Sequence, residues 1–400
     1  MESEPVDLKA HVKRWVVRRP GEDALEQAVG QIAERPLDRS RPLWEAWVVE
    51  GLSEGRIALV TKVHHAVLDG VSGAAMLLHL FDGPTAGADV GPPSETVPSP
   101  LDWVLNAGAR GPERARKLAH AATVVGASLV RVARRRLEQG GDAGGITAPQ
   151  TSLNRAISKG RSVAYARTSL EQVATIRAAF GGTVNDVVLA AVTAALRDYL
   201  IEGDELPDRS LVAAMPISTR DAADAPGGNR ISAVTASLPV HIDEPLHRYW
   251  EVCRAANDAK RFHRVLGGDT LECAAECVSG SVLGAALRLY SGLGLADLHA
   301  PVHNVVISNV PGPPMKLSMG GAPVEAVNPH GPLMDGAGLN VTVMSYAGSI
   351  DVGVLACRAT VPQVRFLAAA IAGAIEDLAK LAERELATRE QEIELLQAVG

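Results

Sequence analysis

The chain has 400 residues and a formal net charge of −7, and 47% of its residues are hydrophobic, 21% charged and 4% aromatic. Because nucleic-acid-binding proteins are typically basic and often use aromatic side chains, we expect no nucleic-acid partner. The hydrophobic content is that of a globular protein, and the length predicts two domains. The first residues are acidic, and no apolar run reaches the roughly 18 residues of a membrane span. We therefore expect a cytoplasmic protein without a signal peptide.

The predicted elements alternate between strands and helices, which indicates an α/β fold. A strand over residues 11–18 and a helix over 23–34 are followed by strands over 44–50 and 56–63 and by helical patterns over 71–81 and 101–137. A second α/β pattern begins at residue 151, with helices over 169–180, 185–202, 248–265, 270–290 and 361–387 and strands over 211–217, 233–242, 302–308, 339–346 and 350–356. The sequence from residue 83 is rich in proline, glycine and alanine, as in linkers. We predict an N-terminal domain over 1–84, a linker with basic helices over 85–150 and a C-terminal domain over 151–400.

Two adjacent histidines, His64 and His65, follow the strand at 56–63, and Asp69 and Gly70 come shortly after them. This order presents His65 at the end of a strand, where a neutral imidazole can serve as a general base near neutral pH. A lone histidine beside an apolar run is more often a structural core residue, but the spacing favours catalysis here. A metal site built from His64, His65 and Asp69 is a further alternative. It lacks another ligand at suitable spacing, so we expect no metal.

The spacing His-His-x-x-x-Asp-Gly resembles the signature of the CoA-dependent acyltransferase superfamily, which includes the condensation domains of peptide synthetases. The segments Pro42-Leu43-Trp44 and Asn185-Asp186 are similar to blocks of the bacterial wax ester synthase/diacylglycerol acyltransferase family. Later blocks that begin at Gly228, Ser308 and Gly338 are similar to that family as well. All of them occur in family order, and the resemblance extends from about residue 6 to about residue 381.

The resemblance implies a two-domain chloramphenicol-acetyltransferase-like fold with the active site in a channel between the domains. It implies transfer of a fatty acyl group from acyl-CoA to a lipid alcohol or diacylglycerol, with His65 as the base, acyl-CoA as co-substrate and no resident cofactor. A covalent acyl-enzyme would need an activated serine or cysteine, and none of the four cysteines sits beside a histidine in the sequence. Esterification of a secondary-metabolite alcohol and a non-catalytic lipid- or partner-binding role are the alternative functions.

Each further site residue has two interpretations. Asp69 is either a triad partner of His65 or, as in related proteins, a structural residue paired with an arginine. Gly70 supplies either backbone freedom or close approach of the substrate to the backbone. Asn185 and Asp186 either cap or begin the helix over 185–202 or, as the resemblance implies, belong to the substrate site, where Asn185 assists acyl-donor or oxyanion contacts. Trp44 is either a core residue or, with Pro42 and Leu43, part of the acceptor pocket that the resemblance implies.

The stretch 110–136 is basic. Its cations are Arg110, Arg114, Arg116, Lys117, Arg131, Arg134, Arg135 and Arg136, against the single acidic residue Glu113. A basic amphipathic helix predicts peripheral contact with a membrane or lipid droplet, and a solvated linker helix is the alternative. Family members carry several dozen more residues before the segment that begins here near Val6. We therefore expect a shortened N-terminal domain that lacks part of its sheet and pocket wall.

Overall fold

A computed structural model describes residues 6–65, 67, 78–82, 148–218, 231–266 and 288–399 of the chain. These residues form a three-stranded sheet, a six-stranded sheet and a two-stranded hairpin, with helices packed on the two larger sheets. The α/β class predicted from the sequence is therefore confirmed. No single helix in these ranges is long and apolar enough to cross a membrane, although one pair of helices, which meet at 98°, passes the same test together.

The N-terminal half holds the three-stranded sheet. Its elements are α1 (Leu8–His11), β1 (Val12–Val16), α2 (Ala24–Glu34), β2 (Trp44–Glu50) and β3 (Ala58–Val63). β2 is the central strand, parallel to β1 and antiparallel to β3. Trp47 and Val49 lie on the face of the sheet that packs against Ala28 and Ile32 of α2, and all four side chains are buried. Because side chains alternate between the two faces of a strand, every second residue of β2 is buried on this face and the residues between them are half-buried.

The C-terminal half holds the six-stranded sheet. Its elements are β4 (Arg161–Ser169), α3 (Leu170–Phe180), α4 (Val184–Glu202), β5 (Leu211–Ser218), β6 (Ile231–Leu238), α5 (Pro245–Leu266), β7 (Val305–Val310), β8 (Ser318–Met319), β9 (Ala322–Pro323), β10 (Leu339–Tyr346), β11 (Ser349–Cys357) and α6 (Val364–Val399). The strand order is β4-β11-β10-β7-β5-β6, and β8 and β9 form the separate hairpin. The core lies between this sheet and helices α3 to α6, and it buries Leu196, Ile350 and Leu367 almost completely.

Several predicted boundaries are wrong. The strand predicted over 233–242 is β6, which ends at Leu238 because Pro239 follows and lacks a backbone donor. The final helix, predicted to end at residue 387, continues to Val399. β4 and the β8–β9 hairpin were not predicted. The predicted helix over 101–137 lies outside the described residues, as do most of the helices predicted over 71–81 and 270–290.

The two halves meet where α2 packs against β4 and β11. Val29, Val163 and Leu355 are buried together at this contact. Glu34, the last residue of α2, accepts a hydrogen bond from the backbone N–H of Arg161 at 3.0 Å and pairs with Arg358 at 2.6 Å. Apolar packing and a charge-assisted hydrogen bond therefore join the three-stranded sheet to the edge of the six-stranded sheet.

Candidate active site

The structure places both histidines of the motif directly after β3. Strand β3 ends at Val63, His64 is half-buried, and His65 is exposed in a turn. The backbone N–H of His64 donates to the carbonyl oxygen of Leu43 at 2.9 Å, and the N–H of Val67 donates to the carbonyl oxygen of His64 at 2.9 Å. The location predicted for His65, at the accessible end of a strand, is observed. An exposed imidazole at this point can reach a substrate hydroxyl group.

The segment Pro42-Leu43-Trp44 lies beside the histidines. Trp44 is the register partner of Val63 in the antiparallel pair of β2 and β3, and the bond between His64 and Leu43 continues this pairing by one residue. Pro42 is exposed, while Leu43 and Trp44 are half-buried. The structure thus brings together two motifs that lie about twenty residues apart in the sequence. Leu43 is thus bonded through its carbonyl group to His64, the residue before the exposed His65.

His11 holds Trp44 in place, and the sequence interpretation missed it. The His11 side chain is 4% exposed, and its Nδ1 donates to the carbonyl oxygen of Trp44 at 2.7 Å. The imidazole also stacks on the Trp44 indole, with ring centroids 4.4 Å apart and an interplanar angle of 25°. A hydrogen bond and a stacked ring together restrict both the backbone and the side chain of Trp44. No short-range sequence signal marks this pair, because the partners are 33 positions apart.

Lys62 of the histidine strand lies near charged residues of β1 and β2. Lys62 of β3 is the register partner of Glu45 in β2, and the Trp47 indole donates to Glu45 at 3.0 Å. On the other side, Lys13 pairs with Glu45 at 2.7 Å. Burial raises the pKa of Glu45, but the hydrogen bonds from Lys13 and Trp47 outweigh it and bring the pKa below its usual value. Burial lowers the pKa of the Lys62 ammonium group.

Asn185 and Asp186 lie in the first turn of α4, so they begin this helix, and the N-cap is a residue that the sequence interpretation did not name. The N-cap is Thr183, whose hydroxyl oxygen accepts from the N–H of Asp186 at 3.3 Å, while the Asp186 carboxylate accepts from the N–H of Thr183 at 2.9 Å. This reciprocal pair is a capping box. Asp186 is 1% exposed, and Lys260 lies 3.9 Å from its second carboxylate oxygen. Asp186 therefore serves the helix start, whereas Asn185 is half-buried in the same turn.

Asp69 and Gly70 lie outside the described residues, so the structure does not place the second half of the motif. Within the ranges that the structure covers, no three histidine, cysteine, aspartate or glutamate side chains are arranged to share a metal ion. The metal interpretation of His64, His65 and Asp69 depends on Asp69, which is not among the described residues.

Two cysteines bear on the covalent alternative. Cys357 is fully buried at the end of β11. Burial raises its pKa, but hydrogen bonds from the hydroxyl and N–H of Ser158 outweigh this effect and lower the pKa to about 7. Burial raises the pKa of the half-buried Cys253 thiol to about 11. One thiol is thus inaccessible and the other is protonated at neutral pH, so neither is arranged as a nucleophile.

Comparison with known families gives two matches that together span most of the chain. Residues 1–188 match the wax ester synthase/diacylglycerol acyltransferase catalytic domain, and residues 227–379 match the WS/DGAT C-terminal domain. The first of these segments contains the histidine motif, Pro42-Leu43-Trp44 and Asn185-Asp186.

Individual proteins agree with this result. A Mycobacterium tuberculosis protein named as a diacylglycerol O-acyltransferase is 35% identical over 382 residues, which cover 93% of this chain and 74% of that protein. A Mycobacterium bovis protein with the same type of name is 33% identical over 377 residues, with 93% and 82% covered. The solved wax ester synthase/diacylglycerol acyltransferase of Marinobacter aquaeolei VT8 superposes with a TM-score of 0.68 and 28% identity, over 96% of this chain and 83% of that one. The similarity therefore includes the fold as well as the motifs.

Proposed function

This chain belongs to the wax ester synthase/diacylglycerol acyltransferase family of O-acyltransferases, and we propose that it transfers a fatty acyl group from acyl-CoA to a lipid hydroxyl. The product is then a triacylglycerol or a wax ester. The observation that carries the proposal is the exposed His65 at the end of β3, next to the His64–Leu43 hydrogen bond of 2.9 Å. A base at this point lies beside the segment that resembles the acceptor-pocket block of the family.

In the proposed reaction, both substrates meet at His65 without a covalent enzyme intermediate. The neutral imidazole takes the proton from the acceptor hydroxyl as its oxygen attacks the thioester carbonyl carbon. The tetrahedral intermediate collapses with cleavage of the carbon–sulfur bond, which leaves the new ester and a CoA thiolate. The imidazolium then returns its proton to the thiolate sulfur. General base catalysis of this kind typically contributes about 10²–10⁴-fold to the rate.

The other motif residues take supporting roles in this proposal. Pro42 and Leu43 form the acceptor side of the site, and Trp44, held by His11, fixes the end of that segment. Asn185, in the first turn of α4, contributes to the acyl-donor side, where the N-terminal end of a helix favours developing negative charge. For Asp69 we propose the structural role, an ion pair that orders the loop after His65. The triad role is the alternative that substitution can separate.

We also propose that the basic stretch 110–136 holds the enzyme at an anionic membrane or droplet surface, because its substrates and products are lipids. Sedimentation with phosphatidylcholine vesicles, with and without phosphatidylglycerol, tests this point. Binding that requires the anionic lipid and is lost when Arg134, Arg135 and Arg136 are all changed to Gln supports the proposal. Equal binding of the unmodified protein and the triple variant to the anionic vesicles contradicts the proposal.

The experiment that tests the proposed activity measures CoA release from palmitoyl-CoA with a thiol reagent, with and without an acceptor. The acceptors are dioleoylglycerol, hexadecanol and a short-chain alcohol, and the ester is identified by chromatography. We expect release to depend on a long-chain acceptor and to match ester formation. Release with no ester, or with the short-chain alcohol alone, would contradict a lipid acceptor.

A further inference from the structure

Lys62, on the histidine strand, bonds to the end of helix α2. Its ammonium group donates to the carbonyl oxygen of Ile32 at 3.0 Å and also to the carbonyl oxygen of Arg35. Helix α2 ends at Glu34, and the last carbonyl oxygens of a helix have no partners within the helix. A cation at that end also interacts favourably with the helix dipole. Lys62 therefore connects β3 to the residue at which the chain leaves α2.

Arg35 is fixed by its side chain as well as by its carbonyl group. The guanidinium carbon lies 5.4 Å from the ring centroid of Trp15 and 5.4 Å from that of Trp47. The two indoles contact each other edge to face at 6.1 Å. Because the guanidinium is held by two rings and the carbonyl by Lys62, the position of residue 35 relative to the sheet is tightly defined.

Residues 35–43 form the connection between α2 and β2, and we refer to them as the 35–43 connection. Its first residue is bonded to Lys62, and its last residue, Leu43, is bonded to the N–H of His64. One end is thus attached to β3 and the other to the residue that directly follows β3, at positions two residues apart, which is about 7 Å along an extended chain. Pro42 and Leu43 lie at the end of this connection that adjoins the motif.

We propose that Lys62 is a positioning residue of the acyl transfer, which fixes the 35–43 connection to the histidine strand and thereby sets the acceptor side of the site. The inference rests on the proposed function, because it concerns the binding of the acceptor. Lys62 acts through Pro42 and Leu43, so its loss raises the KM for the acceptor more than the KM for acyl-CoA. Glu45, opposite Lys62 in register, offsets part of the cost of burying the ammonium group, and burial remains the larger effect on the Lys62 pKa.

The test compares Lys62→Met, which keeps the length of the side chain without the cation, with Lys62→Arg, which keeps a donor. The matched control is Lys13→Met, which removes the other lysine beside Glu45 but leaves the bonds to α2 intact. For Lys62→Met we expect the acceptor KM to rise about tenfold, the effect of losing charge-assisted hydrogen bonds, with the acyl-CoA KM within about twofold. We expect Lys62→Arg to return the acceptor KM most of the way to the original value. The control, Lys13→Met, keeps the acceptor KM within about twofold of the original value.

The second readout does not depend on activity. Hydrogen–deuterium exchange, followed by mass spectrometry, is expected to speed up in the 35–43 connection of Lys62→Met and to stay slow in β2 and in the first turns of α2. An unchanged exchange rate in that connection overturns the inference whether or not the protein is active. Equal increases in both KM values, or no recovery in Lys62→Arg, also overturn it. If the unmodified protein forms no ester at all, the proposed function fails, and the exchange result alone decides the role of Lys62.

Discussion

The backbone N–H of His64 donates to the carbonyl oxygen of Leu43 at 2.9 Å, one residue beyond the last register pair of β2 and β3, Trp44 and Val63. The Pro42-Leu43-Trp44 segment and the histidine pair, which are separate in the sequence, are therefore adjacent in the hydrogen-bonded pairing of β2 with β3. Because antiparallel register fixes which residues face each other, the strand pairing itself places Pro42-Leu43 next to the histidines. The position of His64 beside Leu43 is therefore set by the pairing of β2 with β3.

The first prediction separates the two functions assigned to the start of α4. Thr183→Ala removes the N-cap hydroxyl, which should lower the free energy of unfolding by about 1 kcal/mol, measured by urea denaturation. Asn185→Ala leaves the capping box intact, so we expect it to lower acyl transfer with little change in stability. If Asn185→Ala keeps full turnover, Asn185 has no part in donor binding and belongs to the helix alone.

A second prediction concerns the contact between Asp82 and the β8–β9 hairpin. The Asp82 carboxylate accepts from the N–H groups of Gly320 and Gly321, each at 2.9 Å, and its own N–H donates to the carbonyl oxygen of Ser318 at 2.8 Å. Both glycines have positive φ, at 58° and 80°, so the turn needs them. Asp82→Ala should lower the melting temperature, and Asp82→Asn, which keeps one acceptor oxygen, should lower it less.

The stabilisation by Asp82 is expected to depend on pH. The N–H of Gly321, the hydroxyl of Ser318 and the N–H of Gly320 lower the pKa of Asp82 below its ordinary value of 3.8. The stabilisation is thus complete above that value and is lost as the pH falls through the lowered pKa. The exposed Asp208, changed to Ala, is the control. If the melting temperature drops equally in Asp82→Ala and Asp208→Ala, the contact of Asp82 with the hairpin is not specific.

A third prediction follows from His330, which packs beside Tyr165 with ring centroids 5.3 Å apart. Among the described residues, its Nδ1 is buried without a hydrogen-bond partner, and burial lowers the pKa from 6.5 to about 4. The folded state thus favours the neutral ring. Its contribution to stability is complete above pH 6.5 and declines as the pH falls towards 4. Over that range the unfolding free energy of His330→Gln should fall less steeply than that of the unmodified chain. Parallel curves from urea unfolding at a series of pH values would show that His330 does not titrate on unfolding.

The sequence predicted elements whose local pattern is strong. Strand β2 and strand β10 have the predicted bounds, because apolar runs bounded by turn residues mark them clearly. Strand β4 was missed, since its burial alternates irregularly and polar residues occur along its length. Helix α6 is longer than predicted because glutamate, leucine and glutamine continue its helical propensity without a proline or glycine.

The sequence predicted only those parts of the candidate site that local motifs mark. The motif order placed His65 at a strand end, and the resemblance pointed to Pro42-Leu43-Trp44. The contacts that connect and support these motifs are between distant residues, such as His11 with Trp44 and Lys62 with the end of α2. Such partners depend on strand register and helix packing, which composition and periodicity do not encode at short range.

The central claim is that His65 is the base of acyl transfer from acyl-CoA to a lipid hydroxyl. The most direct test measures CoA release from palmitoyl-CoA with dioleoylglycerol or hexadecanol for the unmodified chain, for His65→Ala and for His247→Ala, an exposed histidine of α5. We expect His65→Ala to lose about 10²–10⁴-fold in turnover with an unchanged melting temperature, and His247→Ala to keep its activity. Acceptor-dependent CoA release by folded His65→Ala at the unmodified rate would contradict the account.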